Sequence, residues 1–325
     1  MSNLLLVATE RGLYSFQRDG EGWREVCHSL KDSSVTTVIA REGVILAGTT
    51  EGLYRSDDLG RSWREASEGL AHRHVRWLAY HPDISDREFA GTEPAAIFIS
   101  RDGAESWHEC PEVGELREQH GWFLPYSPEA GCVRGFAFHG PRAYAAVEVG
   151  GVLRSDDGGE RWRLAEGSSG KPDFDTPVEG FIAPDVHSVG IHPSSPDFVL
   201  AATHLGLYRS ENGGRHWEHV YGDCYSRAFW LDPSDADHII FGPATPSQWN
   251  GRIEETRDGG RTWQAAQTGL EMPRRVLVER FEQVGDELFA VLSNGLLFAA
   301  PLATLEWRQF LPNVSNVAAV TGMAE

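Results

Sequence analysis

The sequence lacks the long apolar runs and paired cysteines that characterise several protein classes. Its 325 residues contain no run of about 18 apolar residues, so we expect no transmembrane helix. The opening residues, MSNLLLVATERG, have no basic segment and too short an apolar stretch for a secretion signal. The cysteines Cys27, Cys110, Cys132 and Cys224 form no C-x-x-C pair, which excludes the common zinc and redox motifs. We therefore expect a cytoplasmic protein with reduced cysteines.

Positive charge is also scarce. Lys and Arg together number 29 against 48 Asp and Glu, and the net charge is −19. Nucleic acids and anionic membranes are bound by basic surfaces, so we expect neither as a partner. An acidic exterior is ordinarily a solvated surface. A cluster of arginines inside it would need an explanation.

Glycine and tryptophan, in contrast, recur in a fixed pattern. Five segments follow the pattern S/T-x-D/N-x-G-x-x-W, with Ala104 replacing Gly in the second: SDDLGRSW, SRDGAESW, SDDGGERW, SENGGRHW and TRDGGRTW. Degenerate copies end at Trp23 and Trp307, and the seven tryptophans are separated by 40, 44, 55, 55, 46 and 44 residues. A period of about 40–50 residues is typical of four-stranded propeller blades.

The residue types of this repeat suit a tight turn between two strands. Asp or Asn accepts hydrogen bonds from backbone amides just downstream, and Gly adopts the positive φ that the turn requires. The Ser or Thr hydroxyl can bond back across the turn, while Trp begins the next strand and buries a large surface. The repeat is therefore predicted to be structural.

With this motif at this spacing, the chain resembles the Asp-box (BNR-repeat) propellers over nearly its whole length. Members include sialidases, xyloglucanases and sortilin-like receptors. The resemblance implies an all-β propeller whose repeat turns lie on the face opposite the usual binding site. It leaves the function open.

Four strands, named a to d from the axis outward, can be assigned around each repeat turn. Strand a is exemplified by VRWLAYHP, strands b and c by GVILAGTTEGLYRS, and the repeat turn joins c to d. Because the chain begins like strands b and c and ends like strand a, Met1 to about Val26 should share a blade with Asn313–Gly322. We predict one domain, residues 1–325, folded as a closed seven-bladed β-propeller of four-stranded antiparallel blades; six or eight blades are the alternatives.

Three loops are unusually long. They are HECPEVGELREQHGWFLPYSPEAG after Trp107, the connection that starts at Leu164, and GPATPSQWNGR in a b–c turn. The d–a and b–c loops of a propeller meet at one mouth of the central channel, so we predict that this mouth is the functional face. Tolerated insertion is the alternative.

Charged residues occur at the start of strand a, at the same mouth. Alignment on the turn that follows places a cationic or imidazole residue there in five consecutive blades: Arg76, Arg134, His187, Arg227 and Arg275. The ends of strand b add Glu93, Glu148 and His204, and the same register adds Glu10 and Asn294. Clustered guanidinium groups match carboxylate or phosphate oxygens. A purely structural alternative is that the arginines pair with Glu93 or Glu148 between blades, although buried pairs are poor stabilisers.

These residues predict a small anionic ligand, such as a carboxylate-bearing metabolite or an acidic sugar. The arginines at positions 76, 134, 227 and 275 would bind it, and Glu93 and Glu148 would orient them. His187 and His204 are the candidate catalytic acid and base of a lyase or hydrolase. Alternatively they bind a divalent metal with Glu148 and with His74 or His120. Whether catalysis occurs stays open.

The family resemblance narrows the enzyme classes. Sialidases carry an Arg-Ile-Pro stretch that is absent here, and neither Tyr126 nor Tyr225 lies in a recognisable nucleophile context. Xyloglucanases of this family use paired aspartates in a cleft between two propellers, which one propeller cannot form. The resemblance also includes a photosystem II assembly factor with an arginine patch at its channel. The alternative to a small-molecule site is therefore a non-catalytic scaffold with a protein partner.

Overall fold

A computed structural model describes residues 2–20, 22–123, 131–173 and 175–324 of the chain. In these residues, 28 strands form seven antiparallel sheets of four strands each. The inner strands of neighbouring sheets contact one another around a central channel. The predicted seven-bladed propeller is confirmed.

The strands in chain order are β1 Ser2–Thr9, β2 Gly12–Asp19, β3 Gly22–Ser29, β4 Val35–Arg41, β5 Val44–Thr49, β6 Gly52–Ser56, β7 Arg64–Glu65, β8 His74–Tyr80, β9 Glu88–Glu93, β10 Ile97–Ser100, β11 His108–Glu109, β12 Cys132–His139, β13 Arg142–Glu148, β14 Gly151–Ser155, β15 Arg163–Leu164, β16 Val186–Ile191, β17 Val199–Thr203, β18 Gly206–Ser210, β19 Glu218–Tyr221, β20 Tyr225–Leu231, β21 Ile239–Ala244, β22 Glu254–Thr256, β23 Gln264–Ala265, β24 Val278–Val284, β25 Glu287–Leu292, β26 Leu297–Pro301, β27 Arg308–Phe310 and β28 Val317–Ala324. One helix, α1 (Pro111–His120), follows β11.

The ring closes as predicted, because the first and last strands share a blade in the order β28-β1-β2-β3. Strand β28 pairs antiparallel with β1, with Leu5 opposite Gly322 and Val7 opposite Val320. Leu5 and Val7 are completely buried. The closing strand begins at Val317, four residues later than the start of the predicted segment, and β3 extends the shared blade to Ser29.

The repeat turns join the third and fourth strands of their blades. In the turn after β6, Asp58 Oδ1 accepts hydrogen bonds from the amides of Arg61 and Ser62 at 3.0 and 2.8 Å. Ser56 Oγ accepts the amide of Gly60 at 2.8 Å, and Gly60 has a φ of 84°. These bonds hold the pKa of Asp58 at about 2, chiefly through the hydroxyl and amide of Ser62. The turn is thus a self-contained hydrogen-bonded unit.

Five of the seven repeat tryptophans donate their indole N–H to a backbone carbonyl, in one of two ways. Trp63 Nε1 donates to the carbonyl of Gly60 in its own turn, and this side chain is only partly buried. Trp107 Nε1 donates instead to the carbonyl of Ala66 in the preceding blade, at 3.0 Å, and is 3% exposed. The turn before Trp107 keeps the repeat geometry although Ala104 holds a φ of 65° in place of a glycine.

The two long connections between blades pack against each other. Helix α1 lies in the first of them, and Glu112 Oε1 accepts the amide of Trp162 at 2.6 Å. Trp122 is 1% exposed and donates its indole N–H to the carbonyl of Gly170 in the second connection, at 2.7 Å. Residues 124–130, which include Tyr126, lie outside the described part of the chain.

All four cysteines are free. No helix within the described ranges is long and apolar enough to cross a bilayer.

Candidate functional site

Each inner strand carries a β-bulge near its start, which aims one additional residue at the channel. The bulge residues are Thr36, Arg76, Arg134, His187, Arg227, Glu279 and Ala318. Four of these are the residues that the alignment placed at this position. The alignment fails in β24, where the bulge residue is Glu279. Arg275 lies in the loop before that strand, with its guanidinium 5.0 Å from the ring of Trp249.

A valine that precedes the bulge is the sequence signal that identifies Glu279. The residue before the bulge is valine in six of the seven inner strands, and the exception is Ser226 before Arg227. The motif LVER therefore aligns Val278–Glu279 with Val133–Arg134. Alignment on the following turn missed this, because the turn after β24 contains no His-Pro or Asp-Pro pair.

Two arginines share one carboxylate across the channel. Arg134 contacts Glu148 and Glu279, each at 3.3 Å. Arg227 donates to the other oxygen of Glu279 and, through Nε, to the hydroxyl of Tyr225 at 2.9 Å. Burial opposes ionisation of Glu279, but Arg227 and Arg134 hold its pKa below the ordinary value. These two arginines already have carboxylate partners. The structural alternative named one of these pairs, Arg134 with Glu148, but that pair lies within one blade and the shared partner Glu279 was not anticipated.

The third arginine is paired as well. Arg76 Nη1 lies 3.3 Å from Glu93 Oε2, and His74 Nδ1 lies 3.6 Å from the same oxygen. Glu93 ends β9 and is 8% exposed. Glu93 therefore holds Arg76 at the edge of the channel.

Arg280, which the sequence analysis did not select, has a different environment. It follows Glu279 in β24, and its guanidinium carbon lies 3.8 Å above the ring of Trp77. No carboxylate lies within 4 Å of its nitrogens in the described part of the chain, although the other channel arginines have one. Burial lowers the pKa of Arg280 to about 10, with only partial compensation from Glu282. This cation is stacked on an aromatic face and has no direct ion-pair partner among the described residues.

A cavity of about 350 Å³ occupies this part of the channel. It is lined by Glu10, Thr36, Arg76, Trp77, Arg134, Glu279, Arg280, Val291, Leu292, Ser293, Asn294, Gly295, Asn316, Val317 and Ala318. Three arginines and two glutamates are thus in contact with it. Within the described ranges, none of its lining residues comes from the long connections after Trp107 and Trp162, on which the prediction of a functional mouth was partly based.

The predicted catalytic histidines lie outside this cavity. His187 is 1% exposed, and its Nδ1 lies 2.7 Å from the carbonyl of Ser226. Its Nε2 lies 3.2 Å from Asp185 Oδ2 and 3.9 Å from Glu148 Oε1. His204 approaches the same carboxylate, with Nδ1 3.9 Å from Asp185 Oδ2.

Of the predicted metal ligands, His187 and Glu148 come together, and Asp185 joins them. One donor atom from each of these three buried residues lies within 4.8 Å of the others. His74 is held at Glu93, and His120 lies on α1 beside Gly170. Asp185 was missed because it lies at the end of a long connection, directly before Val186 and outside the aligned strand.

No protein-family model matches the chain, and a search of curated proteins finds no significant relative. Solved structures of propellers do match. An ancestral GH74 enzyme superposes with a TM-score of 0.62 at 22% identity, over 88% of this chain and 38% of that one. YCF48 from Cyanidioschyzon merolae superposes with a TM-score of 0.62 at 14% identity, over 93% of this chain and 97% of that one.

A structure of YCF48 bound to D1 peptide superposes with a TM-score of 0.60 at 14% identity, over 89% of this chain and 85% of that one. The chain therefore spans less than half of the GH74 enzyme and nearly all of the YCF48 propellers. At these identities the likeness shows the fold, a seven-bladed propeller that this chain has in common with both groups.

Proposed function

We propose that the channel binds a small ligand through a carboxylate group, and that Arg280 is the principal cation of the site. The observation that carries this proposal is the position of Arg280. Its guanidinium lines a cavity of about 350 Å³, is stacked on Trp77 and has no carboxylate partner in the described residues. A partly buried charge without a direct ion-pair partner is costly. A bound carboxylate would satisfy it with the bidentate geometry that guanidinium favours.

The remaining lining residues define what else the ligand could carry. Arg76 extends the cationic side of the cavity, while Ser293, Asn294 and Asn316 offer hydroxyl and amide groups. Glu279 offers a partly exposed carboxylate to an ammonium or hydroxyl group. This combination suits a compact polar acid better than an apolar compound, and the volume is at the lower end for small-molecule sites.

The proposal is for binding without catalysis at this cavity. A hydrolase of the GH74 type would need a carboxyl group able to donate a proton there. Among the described residues that line the cavity, only Glu10 and Glu279 carry a carboxyl group. The pKa of Glu279 is held low by two arginines, and Glu10 accepts the amide of Asn316 at 2.8 Å. His187, the strongest candidate base, is buried outside the cavity.

A peptide is a second candidate source of the carboxylate. The YCF48 propellers match this chain over nearly its whole length, and one of them is described as bound to a peptide. The free carboxyl terminus of a peptide presents the same chemical group as a small acid. In this version, the protein is a scaffold for a partner whose C-terminal residue enters the channel.

We also infer that the chain belongs with the Asp-box propellers and acts in the cytoplasm. The turn after β6 supports the first point, since Ser56, Asp58 and Gly60 form the hydrogen bonds that the motif requires. The scattered free cysteines support the second.

Isothermal titration calorimetry with succinate, citrate and glutamate would test the proposal. Arg280→Met keeps most of the side-chain volume and removes the charge, whereas Arg275→Met removes an arginine that stands outside the cavity. We expect Arg280→Met to weaken binding of the best acid at least tenfold and Arg275→Met to leave it unchanged. Equal effects of the two variants, or no binding of any acid to the wild type, would refute the site.

Binding of two short peptides distinguishes a small acid from a peptide C-terminus as the source of the carboxylate. They have the same sequence, and one ends in a free carboxylate while the other ends in an amide. Tighter binding of the free acid than of any small acid would favour the peptide version.

A further inference from the structure

We propose that Glu148, Asp185 and His187 form a binding site for a divalent transition-metal ion such as Zn²⁺. The site is distinct from the carboxylate cavity, because none of the three residues lines that cavity, although Glu148 contacts Arg134 at its wall. It joins three neighbouring pieces of chain: the end of β13, the residue before β16, and the bulge of β16.

The orientation of His187 is the first argument. Its Nδ1 lies 2.7 Å from the carbonyl of Ser226, and a carbonyl can only accept, so Nδ1 carries the proton. Nε2 faces the two carboxylates, 3.2 Å from Asp185 and 3.9 Å from Glu148, and in the neutral imidazole it carries the lone pair that an ion between them would use. A backbone carbonyl that fixes the tautomer in this way is the usual support of a metal-binding histidine. The hydroxyl of Tyr225, 3.3 Å from Nε2, is the long contact that an ion would replace.

The burial of Asp185 is the second and independent argument. The residue is 7% exposed, and its Oδ1 has no hydrogen-bond partner in the described structure. A buried carboxylate oxygen without a donor is costly. A cation bound between Asp185, Glu148 and His187 would supply the missing interaction.

The spacing and chemistry of the donors indicate the class of ion. Ligand atoms bound at about 2.1 Å stand roughly 3.0–3.4 Å apart. The observed separations of 3.2 and 3.9 Å, with all donors within 4.8 Å, need only a small contraction. One imidazole with two carboxylates suits Zn²⁺ or Mn²⁺ better than the all-oxygen preference of Ca²⁺ and Mg²⁺.

A second buried histidine in the same protein provides a matched control. His238 also contacts an aspartate and a glutamate, at 2.9 Å each. However, Asp232 lies at its Nδ1 and Glu255 at its Nε2, on opposite sides of the ring. The two carboxylates cannot converge with one nitrogen on a single ion. Composition alone would make the clusters equivalent, and only geometry distinguishes them.

The test is metal stoichiometry and affinity of the full chain after removal of metals with EDTA. Equilibrium dialysis with Zn²⁺, followed by elemental analysis, should give one ion per chain. Asp185→Asn and Glu148→Gln should each weaken binding at least tenfold, and His238→Gln should not. Co²⁺ gives a second readout, since its visible spectrum reports coordination by nitrogen and oxygen in the wild type even if a variant fails to fold. Absence of specific Zn²⁺ and Co²⁺ binding to the wild type, or its full retention in folded Asp185→Asn, overturns the proposal.

Discussion

Replacement of Arg280 by Met should stabilise the unliganded protein while it removes ligand binding. Burial lowers the pKa of Arg280 from 12.5 to about 10, which corresponds to a cost of roughly 3 kcal/mol for holding the charge in the folded state. The cation–π interaction with Trp77 at 3.8 Å offsets about 2 kcal/mol of that cost, the value for a desolvated pair. The difference leaves Arg280 unfavourable by about 1 kcal/mol. Methionine keeps the apolar stem and abolishes that cost.

Urea denaturation, with and without a saturating carboxylate ligand, measures both effects. Without ligand, Arg280→Met should raise the free energy of unfolding by about 1 kcal/mol. With ligand at 100 times its dissociation constant, the wild type should gain about 2.7 kcal/mol, and the variant should gain almost nothing. A variant less stable than the wild type by more than about 1 kcal/mol without ligand would show that Arg280 is a structural residue.

Four other perturbations test the fold and its electrostatics. Deletion of residues 317–324 removes the strand that closes the ring, and we expect loss of cooperative unfolding in calorimetry; an unchanged melting curve would contradict the closure. Trp107→Ala should lower the free energy of unfolding in urea by about 3–5 kcal/mol. The loss should be larger than for Trp63→Ala, because of these two side chains only Trp107 is fully buried and bonded to the preceding blade; equal losses would contradict this. Asp58→Ala should lower the melting temperature without changing ligand affinity by calorimetry, since its bonds lie within one turn; weaker binding would give the turn a role in the site. Burial raises the pKa of the Glu282 carboxyl to about 7, so the folded chain binds the carboxyl proton more tightly than the unfolded chain, and the resulting stability is lost as pH rises from about 4.5 through 7. Glu282→Gln should therefore reduce the dependence of the melting temperature on pH over that window. An unaltered pH profile would argue against a raised pKa of this carboxyl.

The fold could be predicted from the sequence because its determinants are local. Each repeat turn is held by bonds among residues within a few positions of one another, as with Ser56, Asp58 and Gly60, so the turn leaves a short and regular pattern. The spacing of the tryptophans then defines the blade length. The closing strand was also predictable, because the chain starts one strand short of a blade and ends with the missing one.

The site was predicted less completely because it depends on residues far apart in sequence. The bulge residues Arg76, Arg134, His187 and Arg227 were found by alignment, and so were two of their partners, Glu93 and Glu148. The partner shared by Arg134 and Arg227 was not. This partner, Glu279, lies 145 residues from Arg134. Whether an arginine is neutralised or left without an anion follows from such pairs, so Arg280 could not be distinguished from its neighbours by sequence. Asp185 was missed because it lies outside the aligned strand, directly before Val186, and only the neighbouring blade brings Glu148 to it and His187.

The crystal structure of the protein soaked with citrate is the most direct test of the central claim. We expect a carboxylate group in the channel with its oxygens about 2.7–2.9 Å from the guanidinium of Arg280, and Trp77 still stacked beneath that guanidinium. The same soak of Arg280→Met should leave the channel free of citrate. An empty wild-type channel, with Arg280 turned toward a carboxylate of the protein itself, would contradict the account.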